Sequence, residues 1–279
     1  MTTTTAYTAH GSGLSFRGLL LSEWIKLTSL RSTVWCYGII LIINLGLGLL
    51  LAASFQQREG GTAALDQAYW MQAATIGIAF SQLVVAVLGA LVITGEYGTG
   101  MIRSTLTAVP KRLAALISKA MVFAVVTFVV SLVSVVGAAL LAALILTGKG
   151  VDLDLADVRV LTTLIGGAGF LTLVGLIALF LGTIVRNSAA GISAVLGLIF
   201  VAPIVLQIFA AVTRASWVQN VFEFLPSSAG SRLFGYAATP APNLPDVIVL
   251  DPGQGLLVLV AWVLVFAAIA TTLLKHRDA

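Results

Sequence analysis

The 279 residues include one cysteine, Cys36, and two histidines, His10 and His276. A disulfide framework and a multi-cysteine zinc or iron–sulfur site are thereby excluded, and the histidines offer no metal-ligand spacing. Charge is equally sparse: Asp, Glu, Lys and Arg make up 9% of the chain, against about 25% in an ordinary soluble domain. So few charges cannot coat a water-facing surface of this size, which argues against a soluble globular fold. No charge falls inside the predicted membrane spans, which disfavours proton- or ion-coupled transport, because ionisable groups at membrane depth are its usual mark. A phosphate loop is also lacking, since Gly148-Lys149-Gly150 has neither the upstream glycine nor the following Ser or Thr. The chain therefore cannot hydrolyse ATP alone. With no Gly-x-Ser-x-Gly elbow, no His-Glu-x-x-His pair and no clustered acidic metal site, a membrane enzyme is disfavoured as well. Asp152-x-Asp154-x-x-Asp157 lacks the glycine and terminal glutamate of a calcium loop and reads as helix capping with outward negative charge.

Apolar residues dominate what is present. Hydrophobic residues make up 59% of the chain and the mean hydropathy is +1.07. Six runs are free of charge or nearly so: 32–57, 67–95, 120–150, 160–185, 187–213 and 252–274. A hydrocarbon core about 30 Å thick needs roughly 20 helical residues, and each run supplies them. The reading is an all-α integral membrane protein with spans at about 33–55, 70–94, 120–147, 161–185, 188–212 and 254–274. Segment 233–245 is too short to span and carries Pro240, Pro242 and Pro245, so it reads as loop. Pro203 is expected to kink the fifth span.

Six spans place both termini on one side. That side holds ten Lys and Arg against three acidic residues, and the other holds five against eight. The excess of basic residues near span ends predicts cytoplasmic termini. The net charge of +4 does not suggest nucleic acid, because the basic residues sit beside apolar runs and not on one solvated face. The first run is too long for a signal-peptide core and is followed by five more spans, so it should be retained as an anchor.

Residues 1–13 read as a disordered tail of Thr, Ala and Gly. Within 14–31, Ser15, Gly18, Ser22, Lys26 and Ser29 recur at helical spacing, with Phe16, Leu20, Trp24 and Leu27 opposite. This predicts an amphipathic helix at the membrane surface, anchored by Trp24 and by Arg17, Lys26 and Arg31 beside anionic headgroups. It serves either as a passive anchor or as an elbow that moves with a partner. The six-span domain, 32–279, follows.

The loop 95–112 is the most informative stretch. Gly95, Gly98 and Gly100 let the backbone leave the second span, and Thr99 is placed to cap a short helix through Leu106. Met101, Ile102 and Leu106 give that helix an apolar stripe, which something must cover. Lys111, Arg112 and Lys119 then return the chain to the headgroups.

Glu96-Tyr97, Gly98-Thr99, Ile102-Arg103-x-Thr105-Leu106, Val109-Pro110-Lys111-Arg112 and Lys119 resemble the permease subunits of ABC-2 type transporters, in particular bacterial exporters. Ser22-Glu23-Trp24-x-Lys26-Leu27-x-Ser29-x-Arg31-Ser32 is similar to the start of that family. The resemblance extends in layout over the whole chain and implies the type V exporter-like permease architecture. It implies that Glu96, Tyr97, Gly98, Thr99, Met101, Ile102, Arg103 and Leu106 form a coupling helix docking into a separate ATPase subunit. ATP and magnesium are then held by that partner, with no cofactor in this chain. A second copy or a homologous permease completes the dimer in the bacterial cytoplasmic membrane.

On the other side, the 213–254 connection is long. Trp217, Val221, Phe224 and Leu225 fall on one helical face with Gln219, Asn220 and Glu223 opposite, and Ser227 to Tyr236 is a second candidate short helix. The resemblance implies that these cap the external mouth, as a gate or as a fixed lid. Within the bilayer Asn44, Gln82 and Gln207 are the strongest polar candidates, for interhelical bonds or for the pathway. The expected function is export of an amphiphilic, drug-, peptide- or lipid-like substrate. The alternative is a membrane scaffold or immunity protein that binds a partner without transport.

Overall fold

A computed structural model describes residues 15–56, 62–101, 112–236 and 247–276. The expected tail at 1–13 and the loop residues Ile102, Arg103 and Leu106 lie outside the described residues, as do Pro240, Pro242 and Pro245. Eleven α-helices and no strand occur among the described residues: α1 Phe16–Ser29, α2 Arg31–Ala53, α3 Ala63–Thr75, α4 Ile78–Gly98, α5 Arg112–Gly148, α6 Val158–Val185, α7 Ser188–Leu196, α8 Ala202–Thr213, α9 Ser216–Glu223, α10 Pro226–Phe234 and α11 Pro252–His276. Six helical stretches are long and apolar enough to cross a membrane: Arg31–Ala53, Ala63–Gly98, Leu113–Gly148, Val158–Val185, Ser188–Thr213 and Pro252–His276. The chain is an all-α integral membrane protein.

Helix α6 is the axis of the bundle, packed against α4, α5, α7, α10 and α11. Its hydropathic window is 67% buried, against 11% for α11 at the periphery. Where α4 crosses α6, a Cβ on Gly89 would sit 2.4 Å from the Gly175 carbonyl oxygen. Only glycine permits that approach, and close backbone packing is what holds helices together where lipid supplies no hydrophobic drive. Outer helices instead turn large apolar side chains away from the bundle, among them Val205, Ile208 and Val212 on α8 and Leu257 and Leu264 on α11.

Two spans depart from continuous α-helix. The second is a longer stretch than 70–94 and is interrupted at Ile76 and Gly77, between α3 and α4. A Cβ on Gly77 would lie 2.6 Å from Asn44 Cα, so α2 crosses against the interruption. In the fifth span, α7 and α8 are joined by a π-turn at Gly197–Val201, with the Ala202 N–H donating to the Gly197 carbonyl. Pro203 follows directly and has no N–H to give, so the wider turn absorbs the break that proline imposes.

At the end of the bundle away from α1, Lys149 Nζ donates to the carbonyls of Ala52, Ala53 and Phe55 at 3.2, 2.5 and 3.0 Å. The ammonium thus caps the carboxyl end of α2, where helix carbonyls carry partial negative charge. Asp154 and Asp157 are committed to backbone caps: Asp154 Oδ1 accepts from Ala156 N–H and Asp157 Oδ1 from Arg159 N–H, both at 2.9 Å. The Tyr236 hydroxyl donates to Asp157 Oδ2 at 2.7 Å. That bond, with those from Arg159, holds the Asp157 carboxyl down at about 2.

Candidate functional site

Helix α1 starts where Ser15 Oγ accepts the Gly18 N–H at 3.1 Å, a side-chain N-cap. Its inward face carries charged as well as apolar side chains. Glu23 and Leu27 are buried, Leu20 and Lys26 are half-buried, and Phe16 and Trp24 point away from the bundle at 44% and 48% exposure. Arg31, the first residue of α2, is exposed. Lys26 therefore turns toward protein and not toward headgroups. A lysine can enter a packed interface only if anions meet it there.

Two anions do. Lys26 Nζ donates to Glu23 Oε1 at 2.8 Å and to Glu96 Oε1 at 3.2 Å. Lys119 Nζ, from α5, donates to Glu96 Oε1 at 2.9 Å and to Glu23 Oε2. Glu23 and Glu96 are each 5% exposed and the Lys119 side chain 7%. Three helices thus contribute two carboxylates and two ammoniums, whose formal charges cancel. Burial pulls the Lys26 ammonium toward its neutral form, but its hydrogen bond to Glu23 and the charge of Glu96 outweigh it, and its pKa rises above the usual lysine value. Lys119, expected among headgroups, is a buried member of this quartet.

The neighbour of Glu96 faces the other way. The Arg186 guanidinium lies over the Tyr97 ring, 5.4 Å from its centroid. Arg186 ends α6 in the left-handed region, with φ 58°. The dipeptide Glu96-Tyr97 at the end of α4 is therefore held on one side by α1 and α5 and on the other by the α6–α7 turn. Beyond it the chain leaves the helix later than expected. Gly95 and Gly98 are helical, and only Gly100 adopts a positive φ, +73°. Thr99 Oγ1 donates back to the Gly95 carbonyl at 3.0 Å and so closes α4; the helix expected through Leu106 lies outside the described residues. Met101 is exposed.

Glu23 and Lys119 stand in the family-like motifs but were not marked as site residues, and Arg186 was not singled out. The i, i+3 spacing of Glu23 and Lys26 was the available signal for the first. For Lys119 it was the last cation before the third span.

At the opposite end, the four apolar residues grouped at 217–225 divide between the two sides of the segment. Trp217, Val221 and Phe224 are 60%, 46% and 42% exposed, while Val218, Glu223 and Leu225 are buried. Glu223 is turned inward because Arg232 of α10 reaches it through two hydrogen bonds, 2.6 and 3.2 Å long. Trp262 Nε1 donates to the Phe224 carbonyl at 2.9 Å, and a Cβ on Gly230 would fall 2.1 Å from the Phe170 ring. Helix α10 is thus packed down onto α6 and α11, while α9 packs on α8. The three polar span residues stay separate: no hydrogen bond joins them among the described residues. Asn44 is fully buried and donates to Ser81 Oγ at 2.8 Å and to the Ile40 carbonyl at 2.9 Å. Gln82 donates to the Ala79 carbonyl at 3.0 Å, and Gln207 is exposed on α8.

A sequence profile described as ABC-2 family transporter protein matches residues 19–204, about two thirds of the chain. The chain belongs to the ABC-2 transporter family. The matched stretch of this ABC-2 permease holds the whole quartet together with Tyr97 and Arg186, and it ends within α8. No curated protein matches the chain. The ABC-2 permease is a multi-pass membrane component of a transport system.

Proposed function

We propose that this chain is the permease subunit of an ATP-driven exporter that moves an amphiphilic, drug-, peptide- or lipid-like substrate across the bacterial cytoplasmic membrane, both termini lying in the cytoplasm. A separate ABC ATPase binds ATP and magnesium and docks on the loop that follows α4, through Glu96 to Leu106. A second permease, identical or homologous, completes the pathway.

The observation that carries this reading is the double anchorage of Glu96-Tyr97. A push on the loop acts at once on α1 through Glu23 and Lys26, on α5 through Lys119, and on the α6–α7 turn through Arg186. A loop tied only to its own helix ends would move alone. One tied to three elements biases the bundle between two arrangements, which is what a switch driven from one end requires. The basic residues near the α1 end fit cytoplasmic placement of that end.

The test is co-purification with the ATPase encoded beside this chain. Wild type is compared with Arg103→Glu/Leu106→Asp, which changes the loop and leaves the quartet intact, with membrane insertion checked for both. Retention by wild type and loss from the variant is the expected result. Equal retention by both, or none by wild type in several detergents, refutes docking through this loop. A scaffold that binds a partner without ATP-driven movement then takes its place.

A further inference from the structure

Beside the quartet a cavity of about 440 Å³ opens between α1, the start of α2, α4 and α5. Ser29, Ser32 and Thr99 stand at its exposed rim, and Glu23, Lys26, Glu96 and Lys119 form its polar end. The remaining wall is apolar, chiefly Leu91, Val92, Val122 and Phe123. Val92 precedes Glu96 by four residues on α4, and Phe123 follows Lys119 by four on α5. On both helices the apolar wall therefore lies one turn, about 6 Å, farther into the bundle than the charges. Polarity in the cavity falls along the helix axes, in the sense a lipid monolayer follows from headgroup to chain. Its volume is in the range of small-molecule sites, roughly 300–1,000 Å³.

The polar end holds one unfilled acceptor. Glu96 Oε1 takes both lysines, while the buried Oε2 has no hydrogen-bond partner among the described residues. A buried carboxylate oxygen left unpaired is costly, and a ligand donor removes that cost. The quartet is already neutral, so an ionised headgroup would bring a charge with no counterion. An uncharged donor brings none.

We propose that this cavity binds an uncharged amphiphile from the adjoining membrane leaflet, the Glu96 carboxylate turning so that Oε2 accepts from a head hydroxyl or amide N–H while an aliphatic chain lies against Leu91, Val92, Val122 and Phe123. Such a molecule occupies the site whether or not it is itself carried across.

The experiment uses the full chain in nanodiscs of phosphatidylcholine, whose headgroup has no hydrogen-bond donor, with a photoreactive dodecanol bearing a diazirine near the chain end. Crosslinks are expected on the peptides carrying Leu91–Val92 or Val122–Phe123. At equal mole fraction in the bilayer, dodecanol should displace the probe about tenfold better than dodecyl methyl ether, the worth of one hydrogen bond to a charged acceptor. Dodecanoate and dodecylamine should displace it less well than dodecanol. Leu91→Trp, which fills the cavity, should cut labelling about tenfold, and Leu257→Trp on the outer face of α11 should not. Labelling spread evenly over outward residues overturns the site. An ether that competes as well as the alcohol, or an ionised head that competes better, overturns the chemistry assigned to it. Should Leu91→Trp fail to fold, the wild-type label map and headgroup series decide the matter alone.

Discussion

Replacing Lys119 with methionine tests whether the buried charges hold one another in place. Methionine keeps most of the side chain's length but removes the ammonium that bonds both Glu23 and Glu96. Lys26, its side chain 27% exposed, is left as the single cation of the quartet against two carboxylates that are each 5% exposed. Removing one partner of a buried ion pair costs about 3–5 kcal/mol. The quartet sits at the end of the bundle, so the lower figure applies, and about 3 kcal/mol is roughly a hundredfold in the unfolding equilibrium. Reversible unfolding in mixed SDS micelles, followed by the fluorescence of the five tryptophans, measures it. Adding Glu23→Gln restores one cation to one anion, and the double variant should regain about 1–2 kcal/mol relative to the single one. A loss below about 1 kcal/mol, as for an exposed pair, would refute the reasoning. So would independent addition of the Lys119→Met and Glu23→Gln losses.

Lys149→Met removes the cation from the carboxyl end of α2; with Lys149 exposed, the expected loss is about 1 kcal/mol in the same unfolding assay, with the α1 end unaffected. Gly230→Ala drives a methyl group into the fully buried Phe170 ring; a destabilisation of about 1–3 kcal/mol and faster proteolysis at α10 are expected. The Asp157 carboxyl, held at about 2 when folded against 3.8 ordinarily, contributes stability that is present above pH 4 and is lost as pH falls toward 2. Melting temperatures across that window should drop in wild type, and Asp157→Asn should remove this group's share of the drop while starting from a lower value at neutral pH.

The six spans were legible because length and apolar character settle them without knowledge of packing. Faces were not. In water an apolar stripe points inward, but at a membrane the same side chains find lipid outside, so Trp24 on α1 and Trp217 on α9 turn out while Glu23 and Glu223 turn in. Burial of those glutamates depends on cations elsewhere: Lys119 lies 96 residues from Glu23, and Arg232 sits on a different helix from Glu223. Helical periodicity within one segment carries no information about such partners. Glu96 was marked as a candidate through the family resemblance, but the ring of charges around it required the tertiary structure. The interruption in the second span was equally hidden, since a lone glycine in an apolar run does not announce that another helix crosses it.

That interruption divides the second span into two separately anchored pieces. The backbone ladder of α3 runs through the Ile76 N–H to Gln72, and Ser81 N–H takes up the Gly77 carbonyl at the start of α4. The 21 residues of α4 therefore run from Asn44 of the crossing helix to the charges around Glu96. The segment beyond, α3, is fastened to its surroundings by the Gln67 and Trp70 side chains. One transmembrane crossing thus has a different set of partners on each side of its joint, polar and ionic at one end and backbone carbonyls of other elements at the other.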